Sequence, residues 1–368
     1  MTFLHGCNYP WSTDGQTVFY GLDFGANVWG SHLGVSTRRD AVARDFDDMA
    51  RLGFVVVRWF LFCDGRAGIV FDDRGLPIGL DQQCFADVDA GLEIARDAGI
   101  RINLVLFDHL WFFRGVSQPL ADAVTGAVVD ARLPEGRARV LLSERGHDAL
   151  FEHVLEPLIS RYCAGGDRAD LARQIFGFEF MNEPDFVIDE WERDLSPRVA
   201  RPLPFSMFAE VVSRFSDLVH ENSPALVTLG GARLHNLWAW DDDALGLDVL
   251  QLHSYPDVRH PARDADVFGV SASELGVKRK VILGEFPGNA LEHHPAGASP
   301  PEHTLDEYLE FALTGGYLGA WPWSFSGTDA YGRLPVDALR RFGERHPALV
   351  NTRFAATKVT KNTLSFPS

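Results

Sequence analysis

The sequence predicts one (β/α)8 barrel spanning residues 1–368, and three observations carry that expectation. Short β-branched or aromatic runs alternate with amphipathic helical segments through the whole chain. The strand segments are nearly all apolar, as parallel strands covered on both faces are. The longest connections follow strands, on the side where barrels of this kind build their binding sites. An open doubly wound sheet is the competing architecture, but the turn Gly6-Cys7-Asn8-Tyr9-Pro10 lacks its glycine-rich nucleotide pattern. No repeat and no low-complexity linker divides the chain.

Each element has a local reason. The first strand covers residues 4–9. A helix over 38–52 follows, because Val42, Phe46, Met49 and Leu52 recur at three- and four-residue steps. Thr37 and Asp40 have capping-box spacing, and Gly53 stands where a helix C terminus takes a positive φ. The second strand is 55–62, the next helix 84–98 ending at Gly99, and the third strand 100–107. Ser143 is read as N-cap of a helix over 144–162, ahead of the fourth strand at 175–181. Helix 207–221 leads to strand 226–229. Weaker helical signals near 237–245 and ahead of residue 281 flank a strand at 249–253. The seventh strand is 281–284. Thr304 and Glu307 then cap a helix over 305–313, and the eighth strand is 317–321.

Four connections, 11–36, 110–142, 186–205 and 286–303, are far longer than the usual two to six residues. All follow strands, which predicts a walled cleft at one end of the barrel.

The composition, 46% apolar and 23% charged, is that of an ordinary globular chain, with no run of the roughly 18–20 apolar residues a membrane span needs. The segment Met1-Thr2-Phe3-Leu4-His5-Gly6 has neither a basic nor an apolar signal region, so the expectation is a cytoplasmic protein, or a secreted one whose signal has been removed. A net charge of −17 repels phosphate backbones and anionic lipid, so neither nucleic acid nor membrane is expected as a partner. The densest cationic run, Lys278-Arg279-Lys280, reads as a solvated lead-in to a strand. Cys7, Cys63, Cys84 and Cys163 lie far apart and form no CxxC pair, so they read as reduced thiols.

The chemistry points to two glutamates. The fourth strand ends Phe178-Glu179-Phe180-Met181-Asn182-Glu183-Pro184, and the seventh ends Leu283-Gly284-Glu285-Phe286. Strands four and seven of an eight-stranded barrel face each other across its mouth. Side-chain alternation puts Gly177, Glu179, Met181 and Glu183 on one side, with Val281, Leu283 and Glu285, and that parity is expected to face the interior. Two facing carboxyl groups are what glycoside cleavage uses: one gives a proton to the leaving oxygen, the other attacks the anomeric carbon. A lone glutamate at a strand end is more often a solvated or capping group; two at matching tips favour catalysis.

The pattern resembles the clan A glycoside hydrolases, and within them is most similar to family 5 cellulases and mannanases. Asn182-Glu183-Pro184 and Glu285 carry the likeness, with Gly6-Cys7-Asn8-Tyr9, Val57-Arg58-Trp59-Phe60, His109, His253-Ser254-Tyr255-Pro256 and Trp323-Ser324-Phe325 in order along most of the chain. The resemblance implies a retaining β-glycoside hydrolase without a metal or other cofactor, cleaving β-mannan or β-glucan type saccharides through a covalent glycosyl-enzyme. Glu183 is then the acid/base and Glu285 the nucleophile. Asn182 would bond the sugar 2-hydroxyl, Arg58 and Tyr255 would orient Glu285, His109 and His253 would line the subsite, and Trp323 would floor it. Arg58 has a second reading as the counter-charge of Glu179. Trp111 and Trp29, with Phe112 and Phe113, are candidate cleft walls. Loops after strands three and seven follow no subfamily pattern, which leaves an exo-acting intracellular β-glycosidase as an alternative. A metal-dependent hydrolase would want an HxH pair on the first strand, where His5 stands alone, and a non-catalytic carbohydrate-binding barrel would usually lack one of the two carboxylates.

Overall fold

A computed structural model of the chain describes residues 3–349 apart from 11, 13–21, 27–31, 114–117, 122–127, 132–136, 190, 192–198, 257–265, 290–302 and 328–330. Eight parallel strands close into a barrel: β1 (Leu4–Asn8), β2 (Val56–Phe60), β3 (Arg101–Asp108), β4 (Ile175–Asn182), β5 (Leu226–Gly231), β6 (Leu250–His253), β7 (Val281–Glu285) and β8 (Gly319–Ala320). Neighbours pair in chain order, and β8 returns to β1 with Leu4 opposite Gly319 and His5 opposite Ala320.

The helices follow from the spacing of their apolar residues. Arg39–Arg51 buries Val42, Phe46 and Met49. Cys84–Ala98 stops at Gly99, whose φ of 71° is the left-handed conformation a glycine supplies cheaply. Ser143 caps Glu144–Leu150 by accepting from the Gly146 amide, and the box at Thr304 and Glu307 starts Leu305–Thr314. The expected box at Thr37 does not form: Arg38 is the N-cap, and the Thr37 hydroxyl donates to the Gly34 carbonyl at 2.8 Å. The segment expected as one helix over 144–162 has a π-helical turn, Phe151–Leu155, between Glu144–Leu150 and Glu156–Arg161. Pro157, which has no N–H to donate, sits just past that turn.

Sequence spacing missed two hairpins, Ile69–Phe71 with Pro77–Leu80 after the second strand and Gln118–Ala121 with Val128–Ala131 after the third, and the helix Val336–Arg345. That helix has few apolar positions, and it closes the bottom of the barrel by packing Phe342 against Phe3 and His5. Among the described residues no helix is long and apolar enough to cross a membrane. All four cysteines are free thiols, three of them buried.

The barrel interior is layered. Leu4, Val56, Phe176, Val249, Ile282 and Trp321 form an apolar floor. Above it lie the polar side chains of Arg58, Asn103, Glu179, Thr228 and Gln251, all at most 1% exposed. Phe180 points the other way, onto Phe208 and Phe215 of the helix Phe205–Asn222.

Regular alternation fails near both strand tips. Ile282 joins the interior floor, whereas Val281 and Leu283 join the outer cluster, opposite to the expected parity. Leu252 pairs with Leu283 but His253 with Glu285, so Gly284 is an extra residue and Glu285 is turned back to the interior. On β4, Glu179 pairs with Thr228 and Asn182 with Gly230, so one more residue lies on β4 than on β5. Met181 accordingly packs in the outer cluster, and Asn182 faces inward.

Candidate active site

Glu183 sits where β4 must stop, because Pro184 has no N–H to continue the ladder. Its φ is 49°, a left-handed conformation that costs a side-chain-bearing residue about 1–2 kcal/mol. Its amide donates to the Gly230 carbonyl at 2.7 Å. Among the described residues the only other non-glycine at positive φ is Cys63, whose carbonyl accepts from the Asp108 amide at 3.0 Å. Both strained positions lie at the strand-tip face, where strain is most often retained for function.

Arg58 on β2 organises the centre. Its Nη1 donates to Glu285 Oε1 and, at 2.9 Å, to Asn8 Oδ1. Nη2 donates to Asn182 Oδ1 at 2.7 Å and Glu179 Oε1 at 2.5 Å, and Nε to Glu179 Oε2 at 2.8 Å. The two readings of Arg58, orienting Glu285 and balancing Glu179, therefore hold together. Asn8 is anchored by its own Nδ2, which donates to the Gly284 and Trp321 carbonyls. The Tyr255 hydroxyl donates to Glu285 Oε2 at 2.9 Å, so both oxygens of Glu285 have a donor.

His253 lies between the glutamates, its Nδ1 3.1 Å from Glu183 Oε1 and 3.6 Å from Glu285 Oε1. One oxygen of Glu183, one of Glu285 and one His253 nitrogen all lie within 4.8 Å of one another. Three such donors could in principle hold a cation, but Glu285 already carries a guanidinium and a phenol. Two carboxyl oxygens this close suit the short carboxyl spacing of retaining glycosidases, about 5–5.5 Å, better than the about 6.5–9.5 Å that leaves room for a water in inverting ones.

Burial is the largest influence on all three groups. It raises Glu285 above the ordinary carboxylate range, with the Glu183 charge adding, while His253, Arg58 and the Tyr255 hydroxyl favour its ionised form. Burial also pushes Glu183 up, but the hydrogen bond and charge of His253, then His109 and Arg233, outweigh it and leave this carboxyl below its usual range. For His253 burial opposes the charge, and the carboxylates Glu285 and Glu183 prevail, so its pKa is raised. The opposite shifts of the two partners couple the protonation of His253 and Glu183 through their hydrogen bond.

Most of the other expected residues meet here. Asn182 Nδ2 donates to Asp108 Oδ2 at 2.8 Å. His109 has its Nδ1 3.9 Å from Glu183 Oε2, its ring held by Phe113 and Phe186. Trp323 packs edge-on against Phe60 beside Tyr255 and Tyr331. Trp321, two residues earlier, is a floor residue of the core instead.

Trp111 is a correction. Only 2% exposed, its indole packs on Phe107 and Phe71, and Phe112 is also buried, so neither walls a cleft. Apolar stacking beneath the hairpin Ile69–Leu80 won over display. Trp29 lies outside the described residues. His5 sits at the opposite end of the barrel, packed between Phe54 and Phe342, far from any strand tip that could use it as a metal ligand. Sequence reading missed Asp108, although a carboxylate closing an apolar strand was the signal used for Glu183 and Glu285. It also missed Asn103 and Gln251, which lie mid-strand and carry no local signal.

A closed parallel barrel that brings a carboxylate pair together at the tips of its fourth and seventh strands offers the two carboxyl groups that glycosidic bond cleavage uses. The chain is 27% identical over 352 residues to the mannan endo-1,4-β-mannosidase of Mytilus edulis, covering 88% of this chain and 83% of that protein. Its fold matches the β-mannanase structure from blue mussel with a TM-score of 0.66 at 21% identity, over 92% of this chain and 90% of the other. The β-1,4-mannanase of the sea hare Aplysia kurodai matches with a TM-score of 0.68 at 17% identity, over 93% of each chain. No family profile matches the sequence. The barrel and the likeness to mannanases read from the sequence are both borne out.

Proposed function

We propose that this chain is a retaining β-glycoside hydrolase that cleaves β-1,4-linked mannan, with Glu285 as nucleophile and Glu183 as acid/base. The observation that carries the reading is the pair itself: one carboxyl oxygen of each glutamate within 4.8 Å of the other, Glu285 braced by Arg58 and Tyr255 and Glu183 by His253. The likeness to a mannan endo-1,4-β-mannosidase supports mannan as the polymer and internal bonds as the target.

The geometry suits double displacement. Arg58 and Tyr255 hold Glu285 ionised toward the anomeric carbon, which it attacks as the glycosidic bond breaks. The leaving oxygen takes its proton from Glu183. His253, one hydrogen bond away, shares that proton with Glu183, and a sugar ring filling the cleft strips water from the pair. Desolvation penalises the ionised pair relative to the neutral one, so the proton is favoured on the carboxyl. In the second half Glu183 takes a proton from water, which attacks the glycosyl ester and frees Glu285.

Wild type, Glu183→Ala and Glu285→Ala, assayed on soluble mannans, glucans and activated aryl β-glycosides with and without azide, test the assignment. The reading expects an α-glycosyl azide from Glu285→Ala and a β-glycosyl azide from Glu183→Ala. It expects a rapid drop in mannan viscosity from wild type, whereas release of monosaccharide alone would signal exo action. Full activity in both alanine variants would overturn the site.

A further inference from the structure

Glu179 is fully buried beneath the carboxylate pair, and the reaction as described does not use it. Four donors converge on its two oxygens. Besides the two from Arg58, Asn103 Nδ2 donates at 2.9 Å and Gln251 Nε2 at 2.7 Å. Every partner is an N–H, so a carboxylic acid proton would have no acceptor, and the group is an anion. Both amides turn their nitrogens to Glu179 although this leaves Asn103 Oδ1 and Gln251 Oε1 buried without a hydrogen-bond partner. That is the orientation expected when a charge dominates the local field.

Space is reserved for the same purpose. A Cβ at Gly230 would lie 2.5 Å from Glu179 Oε1, 3.0 Å from His253 Cε1 and 3.1 Å from Arg58 Nη2. A glycine at this point of β5 is what lets carboxylate, guanidinium and imidazole pack side by side.

We propose that Glu179 is a positioning residue: by taking the Nε and one Nη2 hydrogen of Arg58, it fixes how much of the guanidinium charge reaches Glu285. The proposal rests on reading Glu285 as the nucleophile. One cation is shared between two buried anions, so Glu285 is oriented by Arg58 without being fully neutralised by it. A fully paired carboxylate would be a poor nucleophile, and an unpaired one would not stay ionised in this buried site. Among the described residues, the charged groups facing Glu285 are Arg58 from β2, Glu183 from the tip of β4 and His253 from β6, with Tyr255 beyond β6 as a further titratable partner. Glu179 reaches Glu285 through Arg58.

Two variants should move the acid limb of kcat/KM in opposite directions. Glu179→Gln releases Arg58 wholly to Glu285, and the limb should fall by about one pH unit, the scale of a charge removed at such a distance. Asn103→Leu leaves the Glu179 charge less well satisfied and should raise the limb. Circular dichroism establishes that each variant is folded. The same shifts should appear in a 13C-carboxyl NMR titration of Glu285, assigned by its loss in Glu285→Gln. Shifts of opposite sign support the proposal. An unmoved limb in a folded Glu179→Gln, or shifts of one sign in both, overturns it. The NMR arm needs no substrate, so an inactive wild type with the expected shifts would retire the glycosidase reading and leave the charge relationship standing.

Discussion

The Nδ1 of His253 lies 3.1 Å from Glu183 Oε1, and this contact couples the protonation of the two residues. It implies a bell-shaped kcat/KM profile. The acid limb follows Glu285 and should lie above the usual glutamate range, because burial raises that carboxyl. The alkaline limb follows loss of the proton from the pair and should lie above the ordinary histidine range, because the two carboxylates raise His253. In His253→Ala the hydrogen bond and charge that hold Glu183 down are gone while burial remains, so Glu183 should titrate above its wild-type position and the alkaline limb should become that of a single carboxyl. An unchanged limb would mean the pair does not hold this proton.

Tyr255→Phe removes one of the two hydrogen bonds to Glu285 while keeping the ring that packs on Tyr331. A hydrogen bond to a charged group is worth about 1.5–3 kcal/mol, so kcat/KM should fall by roughly ten- to a hundredfold. The acid limb should move up, since Tyr255 favours the ionised form. Steady-state kinetics on an aryl β-mannoside across pH reads both.

Arg58→Met leaves Glu179 and Glu285 buried without their shared cation. Removing one partner of a buried ion pair costs about 3–5 kcal/mol, and here two carboxylates lose theirs, so denaturant midpoints should drop markedly along with activity. Arg58→Lys should recover part of the stability but little activity. An ammonium supplies charge, whereas the planar fork reaches Asn8, Asn182 and both carboxylates at once.

His5, at the closed end of the barrel, should make the fold acid-sensitive. Burial lowers its pKa from 6.5 to about 4. Between those values the unfolded chain binds a proton that the folded chain refuses, so this contribution to stability falls as pH drops from about 6.5 to about 4 and is level below. The difference corresponds to about 3 kcal/mol. His5→Leu should flatten that part of the stability profile, measured by urea unfolding at a series of pH values. Parallel profiles for the two proteins would show that His5 is not the sensor.

Gly230→Ala should disrupt the site while leaving the rest of the barrel, because the added methyl meets Glu179, His253 and Arg58 at 2.5–3.1 Å. The expected result is a loss of kcat with far-ultraviolet circular dichroism retained; wild-type kcat in the variant would show that the cluster relaxes freely.

How far the sequence reached depends on the range of the interaction that decides each feature. Helical periodicity, the glycines after Arg39–Arg51 and Cys84–Ala98, the box at Thr304 and the apolar strands ending in Glu183 and Glu285 are set within a few residues, and those were legible. The helix Val336–Arg345 was not, because its few apolar residues find their partner, Phe3, at the other end of the chain. Nor was the inward turn of Glu285 and Asn182. Alternation predicts facing from one strand alone, but the slips at Gly284 and beyond Glu179 are defined only against the neighbouring strand. Trp111 looked the same in sequence whether displayed or buried, and only its packing on Phe107 settled which. The sequence by itself determined the barrel, its open end and the two glutamates. Tertiary structure alone decided which charges share Arg58, because hydrogen bonds and fields join residues 121 and 227 positions apart, and no local pattern records them.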